Sequence, residues 1–497
     1  MTPSKLPKKN KGLHFKKQKH REIIVDFTGG MITSNAGILL IAELDRRLKI
    51  TEKFAECFRD YRHLSYTDYT VAQLLAQRIY GLILGYEDLN DHEHLRNDPT
   101  LMLALSKLNF IEKKPKGLAG KSTLNRLEYC PEHIIKQNES RYHKIEVLPQ
   151  EVEKMFVEIF LNSYSEPPSS IVLDLDVTDD EVHGNQEGAF FNKYYDSVCY
   201  APLYIFCGRH LLAAKLRSSN VDPADGALSE LERIIPQIRE KWPNTQILVR
   251  ADSAYSREEI FAFCEAQENV DYVIAMSTNN QLKIRASDVV KKAQKDYEDR
   301  VEVVSKFLDD LGFKKENLDT VSEIKELVPD SKWYRSLCYK TETSWSKGRR
   351  VVTKVEYGNE GLNMRHVVTS LPASAISPSL LYTKKYCPRG QMENQIKEQQ
   401  LDLFADRTST HLFESNQLRL WLSSMAYVLV QAFRENCLKK TELKNATVGT
   451  IRLKLFKLGA RVIVSFRRIL VAIASSCPCQ DILTLAYSRI MAISETG

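Results

Sequence analysis

Between residues 170 and 277 the sequence alternates strand-like and helix-like segments, and their order limits the folds open to the chain. β-rich apolar runs predict strands, and amphipathic runs that begin with capping residues predict helices. The predicted order is three strands, a helix, a strand, a helix and a strand, over residues 170–177, 198–207, 210–217, 225–242, 245–252, 256–267 and 271–277. This order predicts an α/β domain built on a mixed sheet with flanking helices.

The segments outside this block predict further regions. Residues 22–165 have mainly helical periodicity, which fits either core scaffold or DNA-reading helices. Residues 281–364 hold a charged helical piece followed by strand-like runs, and we interpret them as an insertion in the sheet domain. Residues 365–440 add a strand-like run and two helices, and residues 441–497 predict a basic helical region, with helix across 443–480.

Charge is distributed unevenly along the chain. The 70 Lys and Arg residues exceed the 64 Asp and Glu residues by only six. Residues 1–21 hold eight basic side chains and residues 443–480 hold seven, and neither stretch contains an acid. An acidic body with two basic ends indicates a polyanionic partner, with nucleic acid the first candidate. A solvated tail and a solvated helix explain the charge equally well.

Several classes of protein are excluded. No run approaches the eighteen apolar residues that a membrane-spanning helix requires, and no apolar stretch follows the basic N-terminus as in a secretory signal. The ten cysteines are scattered over a long chain rather than spaced as a disulfide framework. We therefore expect reduced, mostly buried cysteines and a cytoplasmic protein.

Three acidic residues stand where a sheet domain often presents catalytic groups. Asp176 is near the end of the first predicted strand, Asp252 ends a later strand, and Glu393 follows the insertion on a predicted helix. Carboxylates gathered at one point repel each other unless cations lie between them. Mg²⁺ takes such oxygen ligands together with substrate phosphate, and two ions can clamp a phosphodiester displacement. The alternative is that each acid is an ordinary loop or capping residue.

The segment around Glu393 is unusually rich in polar groups. Tyr386, Arg389, Glu393 and Lys397 fall within twelve residues, and the last three are spaced to share one face of a helix. A carboxylate between two cations suits a metal ligand with phosphate contacts on either side. A salt-bridge ladder on the surface is the competing interpretation.

The spacing Tyr386-x2-Arg389-x3-Glu393 resembles the glutamate-helix signature of DDE transposases of bacterial insertion sequences. Four other segments resemble one branch, the insertion-sequence 1380 family: residues 118–128, 173–188, 249–259 and 389–398. The resemblance covers nearly the whole chain, with its motifs in family order. It implies an RNase H-like mixed sheet as catalytic core, in two parts (166–280 and 365–440) around the 281–364 insertion. The flanking parts would be a basic arm (1–21), a helical DNA-binding region (22–165) and a basic helical region (441–497).

By motif, the resemblance implies Asp176, Asp252 and Glu393 as the catalytic and metal-binding acids. The chain places 75 residues between the first two and 140 between the last two, enough for the insertion. One departure concerns a lysine that related signatures place seven positions after the glutamate, where this chain has Gln400. Lys397 could replace it about one turn earlier. Asp174 is an alternative first acid, because residues two apart on a strand face the same way.

The implied chemistry is cleavage at the ends of a mobile element followed by joining to target DNA. It would use two Mg²⁺ ions, with Mn²⁺ able to replace them, and a homodimer on double-stranded DNA that carries the terminal inverted repeats. Tyr386, Arg389 and Lys397 would contact phosphate. Trp345 could stack on an unpaired base beside Lys347, Arg349 and Arg350, or it could be a packed residue at a hairpin tip. The alternatives in function are a DNA-binding protein without catalysis and a nuclease that cuts without joining.

Overall fold

The computed structural model of the chain describes residues 12–106, 117–129, 144–310 and 325–494. Parts of four predicted regions lie outside these residues: 1–11 of the basic arm, 107–116 and 130–143 of the helical region 22–165, 311–324 of the insertion and 495–497 of the basic C-terminal region. The chain forms two compact units. The first comprises Met1–Pro149, Glu398–Arg407 and Trp421–Gly497, and the second comprises Gln150–Lys397 and Thr408–Leu420.

The strands, in chain order, are β1 (Leu13–Gln18), β2 (Arg21–Val25), β3 (Met31–Thr33), β4 (Phe58–Asp60), β5 (Ile145–Val147), β6 (Ser170–Val177), β7 (Asp180–Glu181), β8 (Phe190–Asn192), β9 (Ser197–Tyr200), β10 (Leu203–Cys207), β11 (His210–Lys215), β12 (Gln246–Ala251), β13 (Val270–Met276), β14 (Ser331–Tyr339), β15 (Arg349–Gly358), β16 (Gly361–Thr369), β17 (Ala460–Val464) and β18 (Ile469–Ile473).

The α-helices are α1 (Ile38–Leu48), α2 (Ile50–Glu56), α3 (Val71–Ile83), α4 (His92–Leu95), α5 (Pro99–Ala104), α6 (Lys121–Glu128), α7 (Pro149–Asn162), α8 (Ala227–Lys241), α9 (Glu258–Ala266), α10 (Asn280–Arg285), α11 (Ser287–Asp310), α12 (Gly390–Leu403), α13 (Phe413–Cys437), α14 (Val448–Ile451) and α15 (Gln480–Met491). A short turn (Pro378–Leu380), a π-helical segment (Leu381–Tyr386) and a 3₁₀ turn (Cys387–Arg389) lead into α12. A second π-helical segment, Arg452–Phe456, follows α14.

The second unit is built on one eight-stranded sheet with the order β11-β10-β6-β12-β13-β16-β15-β14. Strand β6 is antiparallel to β10 and parallel to β12, and β12 is parallel to β13. The remaining pairs are antiparallel. This confirms the predicted mixed α/β sheet with flanking helices.

Alternation along the central strands separates an apolar face from a polar one. In β6, Leu173 and Leu175 are buried in the main core, and the charged residues between and after them point to the other face. The apolar face packs against α7, α8 and α9, which contribute Phe160, Leu231 and Phe261, among others. Each such side chain contributes roughly 1.5–3 kcal/mol on full burial, so this layer fixes the strands that carry the polar face.

The insertion extends the same sheet. Strand β16 pairs with β13 on one side and with β15 on the other, and β14 forms the outer edge. Helix α11 covers one face of this extension, where Val289 and Ala293 pack against Val355. The predicted order of helix and then strands is therefore what the described part of the insertion contains.

In the first unit, the described residues of 38–106 and 117–128 are mainly helical, as predicted, with capping residues such as Thr70 and Asp98 at helix starts. Residues 13–25 form an exposed two-stranded ribbon of β1 and β2. Among the described helices, none has both the length and the apolar character needed to span a membrane.

The predicted helix across 443–480 is wrong for most of its length. Only Val448–Phe456 is helical, and β17 and β18 then form an antiparallel hairpin that adds to β3. The physical reason is the composition of the two runs, since Val462, Ile463 and Val464 face Ile469, Leu470 and Val471 across the hairpin. Five of these six residues are β-branched, and such residues fit a pleated surface better than a helix.

Candidate active site

Asp176 and Asp252 lie at the carboxyl ends of two adjacent parallel strands. The pairing of β6 with β12 sets Leu175 beside Ala251, and the next residue of each chain is the aspartate. Both follow the alternation that turns polar side chains away from the helical layer. The Asp252 carboxylate accepts a hydrogen bond from the Ala254 backbone N–H at 2.9 Å and so caps a 3₁₀ turn, Ser253–Tyr255.

Asp176 is an acid in a poorly solvated position. It is only 8% exposed, and burial raises its pKa to about 6, an effect to which the charge of Asp252 adds. The guanidinium of Arg389 and a hydrogen bond from the Val177 N–H oppose this rise in pKa. The carboxylate form of Asp176 therefore depends on positive charge nearby.

Arg389 supplies that charge and joins two of the predicted acids. Its Nη1 donates to Asp176 Oδ2 at 2.8 Å, and its Nη2 lies 3.7 Å from Glu393 Oε1. The side chain of Arg389 is 17% exposed and that of Glu393 is 51% exposed, so the pair opens to solvent on the glutamate side. Asp176 and Glu393 therefore share one cation although 216 residues separate them in sequence.

Lys397 does not extend this contact along the helix. It is exposed on α12 and forms no ion pair with another described residue. Arg389 instead contacts Asp176 on the sheet as well as Glu393. This contact distinguishes the arrangement from the surface ladder that the spacing also allowed.

Tyr386 lies half-buried at the end of the π-helical segment Leu381–Tyr386. Burial raises the pKa of its hydroxyl, and the Arg389 charge opposes that rise. Its ring packs against Tyr382 at a centroid distance of 5.5 Å. π-helical turns are rare and are often found at functional sites.

Asp174 is held by a different arginine. Both of its carboxylate oxygens accept from Arg250, at 2.5 and 2.7 Å, and both residues are buried. Burial raises the pKa of Asp174 and Arg250 opposes it. Arg250 also donates to the Lys385 carbonyl at 2.7 Å, so the pair fastens the π-helical segment to β12.

Trp345, Arg349 and Arg350 make their contacts with other residues of the protein. Trp345 is 5% exposed and packs edge-on against Phe261 and Tyr339, as expected of a packed residue at a hairpin tip. Arg349 is buried and pairs with two glutamates, Glu258 and Glu265.

Arg350 donates to the carbonyls of Leu371 and Ile376. Lys347, by contrast, is exposed and lies 3.1 Å from Glu265. Of the four residues predicted to contact DNA here, only Lys347 therefore presents its charge to solvent.

Arg250 is the site residue that the sequence analysis missed. A signal was present, because a single arginine interrupts the apolar strand 246–251 two positions before Asp252. On a strand these two residues face the same side, which already placed Arg250 on the acidic face.

The carboxylate oxygens of Asp176, Asp252 and Glu393 are ligands that a hard cation prefers. In this structure the three carboxylates are not grouped as a metal centre. Within the described ranges, no three His, Cys, Asp or Glu side chains are grouped closely enough to hold a metal ion. The cation that Asp176 and Glu393 share is the Arg389 guanidinium.

The family to which the chain belongs defines the class of protein, which is a transposase. The chain belongs to the family described as Transposase DDE domain group 1, which matches residues 15–495. The match does not identify the insertion-sequence 1380 branch, so membership of that branch stays a prediction. No curated protein matches the sequence. Among solved structures, the chain is similar to the piggyBac transposase in a cryo-EM structure of its synaptic complex with hairpin DNA. The TM-score is 0.39 and the identity 9%, over 84% of this chain and 78% of that one.

Proposed function

We propose that this transposase cuts DNA at the ends of an insertion sequence and joins those ends to target DNA, with Asp176, Asp252 and Glu393 as its acids. The observation that carries the proposal is the Arg389 guanidinium, which binds Asp176 on the sheet and also approaches Glu393 on α12. Asp252 belongs to the same constellation because its charge acts on Asp176. The insertion-sequence 1380 motifs favour that branch of the family.

DDE transposases use divalent metal ions. The three carboxylates are hard oxygen donors, which fits Mg²⁺ or Mn²⁺, and the buried Asp176 needs positive charge to ionise. Asp176, Asp252 and Glu393 would hold the ions. A bound pair would activate the attacking hydroxyl and stabilise the leaving oxygen of the phosphodiester.

The remaining site residues have roles of their own. Arg389 holds Asp176 in its charged form and is assigned as a contact for the substrate phosphate. Tyr386 is assigned as a phosphate contact rather than a nucleophile. Lys397, exposed one turn after Glu393, offers a phosphate contact in place of the lysine that Gln400 replaces. The proposed partners are the terminal repeats and target DNA, bound by a homodimer.

Cleavage and joining can be tested with the purified full-length protein, Mg²⁺ and a labelled duplex taken from the DNA that flanks its own coding sequence. We expect nicks at the element end and strand-transfer products. Asp176→Asn, Asp252→Asn and Glu393→Gln should each reduce cleavage by about 10³-fold or more, because each removes a charged ligand of ions that supply several kcal/mol. Glu302→Gln, an exposed acid on α11, is the matched control and should cleave normally.

Other results would point to the alternatives. Cuts without joined products would indicate a nuclease, and a binding shift without cuts would indicate a DNA-binding protein that has lost catalysis. Near-normal cleavage by one of the three variants would remove that residue from the catalytic set.

A further inference from the structure

Three exposed cations lie on β16 and on the π-helical segment that ends at Tyr386. Arg365 is on β16, and Lys384 and Lys385 are on the π-helical segment. We refer to Arg365, Lys384 and Lys385 as the basic patch. None of the three forms an ion pair with another described residue, whereas nearby Lys332 and Lys354 both pair with Glu356. The patch therefore carries positive charge that the described part of the protein does not neutralise.

The register of the sheet connects the patch to the candidate active site. Tyr334, Lys354 and Arg365 are direct partners across β14, β15 and β16, so they form one row on one face. Tyr382 packs on this row, with its ring centroid 5.8 Å from that of Tyr334 and 5.7 Å from Lys354 Nζ. The row therefore leads to the π-helical segment.

Tyr386 continues the path from the sheet to the acids. It contacts Tyr382, and its hydroxyl pKa responds to the charges of Arg389, Asp252 and Arg365. A row of aromatic and basic side chains therefore runs from β16 to Arg389, which binds Asp176.

The backbone that carries two of the patch residues is fixed in place. The Lys385 carbonyl accepts from Arg250, which is held in turn by Asp174 on β6. The turn that leads into the π-helical segment is capped by Ser377, whose side chain accepts from the Leu380 N–H. The two lysines thus project from a segment attached to β12, the strand that leads directly to Asp252.

We propose that the basic patch binds the phosphodiester backbone of the DNA strand that enters the active site. This inference rests on the proposed function and adds a substrate track that neither the motifs nor the family identify. Unpaired exposed cations are the groups that release counterions when they meet phosphate, and each contact contributes about 0.9 to the slope of binding against salt. Contacts with phosphate carry no information about the base sequence. The basic patch should therefore contribute equally to the binding of all DNA sequences.

The chain offers a matched control on the opposite face of the same sheet extension. Lys291, Lys292 and Lys295 are exposed on α11, and that helix packs on the face that carries Val355. Lys354 and Val355 are successive residues of β15, so the two triads lie on opposite faces. Replacing either triad by glutamine removes three positive charges. Of the two triads, only the basic patch lies on the face of the sheet that carries the candidate acids.

The test measures binding of the fluorescein-labelled flanking duplex by anisotropy as a function of salt. All proteins carry Glu393→Gln and metal is omitted, so the result does not depend on cleavage. Relative to the parent, R365Q/K384Q/K385Q should reduce the slope of log K against log salt by about 2 to 3. K291Q/K292Q/K295Q should reduce it by less than about 0.5, because those lysines make no phosphate contact.

Equal reductions in the two triads would overturn the proposal, since they would show a general charge effect. An unchanged slope in the R365Q/K384Q/K385Q protein would overturn it as well. A transposase that fails to cut would contradict the proposed function and leave this slope measurable, so the two failures are distinguishable.

Discussion

At the scale of single residues, the folded protein disfavours the ionised form of the Asp176 carboxyl. Burial and the Asp252 charge raise its pKa to about 6, above the ordinary value of an aspartate. In the unfolded chain the group ionises freely, so between about pH 4 and pH 6 the folded state binds more protons than the unfolded state. The stability that Asp176 contributes is therefore lost as the pH rises through this window.

Asp176→Asn should accordingly stabilise the protein at neutral pH. We expect a gain of about 1–3 kcal/mol in the free energy of unfolding at pH 7.5, because the buried charge is gone. The gain should shrink toward pH 5, where Asp176 of the parent protein is protonated. Denaturant unfolding at both values measures this, and an equal gain at both would contradict the proposed cause.

Arg389 can be tested through the same carboxyl. Arg389→Gln removes the cation that lowers the pKa of Asp176, so this pKa should rise above about 6. Carboxyl-carbon NMR measures the shift. Lys397→Gln is the control, because it removes one charge from α12, the helix that follows Arg389, without breaking a bond to Asp176. A similar rise in both variants would mean that Arg389 acts only through the general charge of the site.

At the scale of elements, the Asp174–Arg250 pair is what holds the π-helical segment on β12. Arg250→Met should destabilise the second unit by about 3–5 kcal/mol, because it leaves Asp174 buried without its partner. The double variant Asp174→Leu/Arg250→Met should cost less, since no charge is then left unpaired. Thermal unfolding of the two proteins compares them, and an equal loss of stability would show that the packing of Arg250, rather than its charge, is what matters.

A second element, α4, gives the first unit a pH dependence of its own. His92 is fully buried, and burial lowers its pKa to about 3, with the charge of Arg78 adding to the effect. The unfolded chain takes up this proton near pH 6.5, so stability present above that value should be lost as the pH falls.

We expect the loss of stability attributable to His92 to be about 2 kcal/mol at pH 5. His92→Gln should flatten the dependence of unfolding on pH between 6.5 and 5, as measured by denaturant titration. An unchanged curve would assign the acid sensitivity to other groups.

The sequence predicted these elements unevenly, for physical reasons. Periodicity identified β6, β12 and the helices α8 and α9, because one face of each is buried and its apolar residues recur regularly. It failed for β17 and β18 because the helical spacing of Lys454, Lys457 and Arg461 was extended over the runs rich in β-branched residues that follow. Contacts between residues distant in sequence, such as that of Arg250 with the Lys385 carbonyl, could not be predicted from the pattern of one strand. The roles of Asp176, Asp252 and Glu393 stay predictions.

At the scale of the whole molecule, the small net charge of +6 conceals two basic ends. The described part of the N-terminal end is the exposed ribbon of β1 and β2, whose cations include Lys16 and Arg21. Deleting residues 1–21 should lower the salt slope of DNA binding by about 0.9 for each phosphate that these cations neutralise in the intact protein. Anisotropy titration of the truncated protein measures the change, and an unchanged slope would leave the ribbon without a part in DNA binding.

The pairing of β15 with β16 has a consequence for engineering the second unit. Trimming the chain to a minimal core by removing 281–364 would delete β14 and β15 and leave the last residues of β16 beside β13 as a new border. Their backbone groups, which now pair with residues 350–353, would become a bare edge in the middle of the former sheet. Edges of this kind recruit strands from other molecules. A shortened protein should therefore precipitate or form oligomers, so the insertion also protects the edge of the eight-stranded sheet.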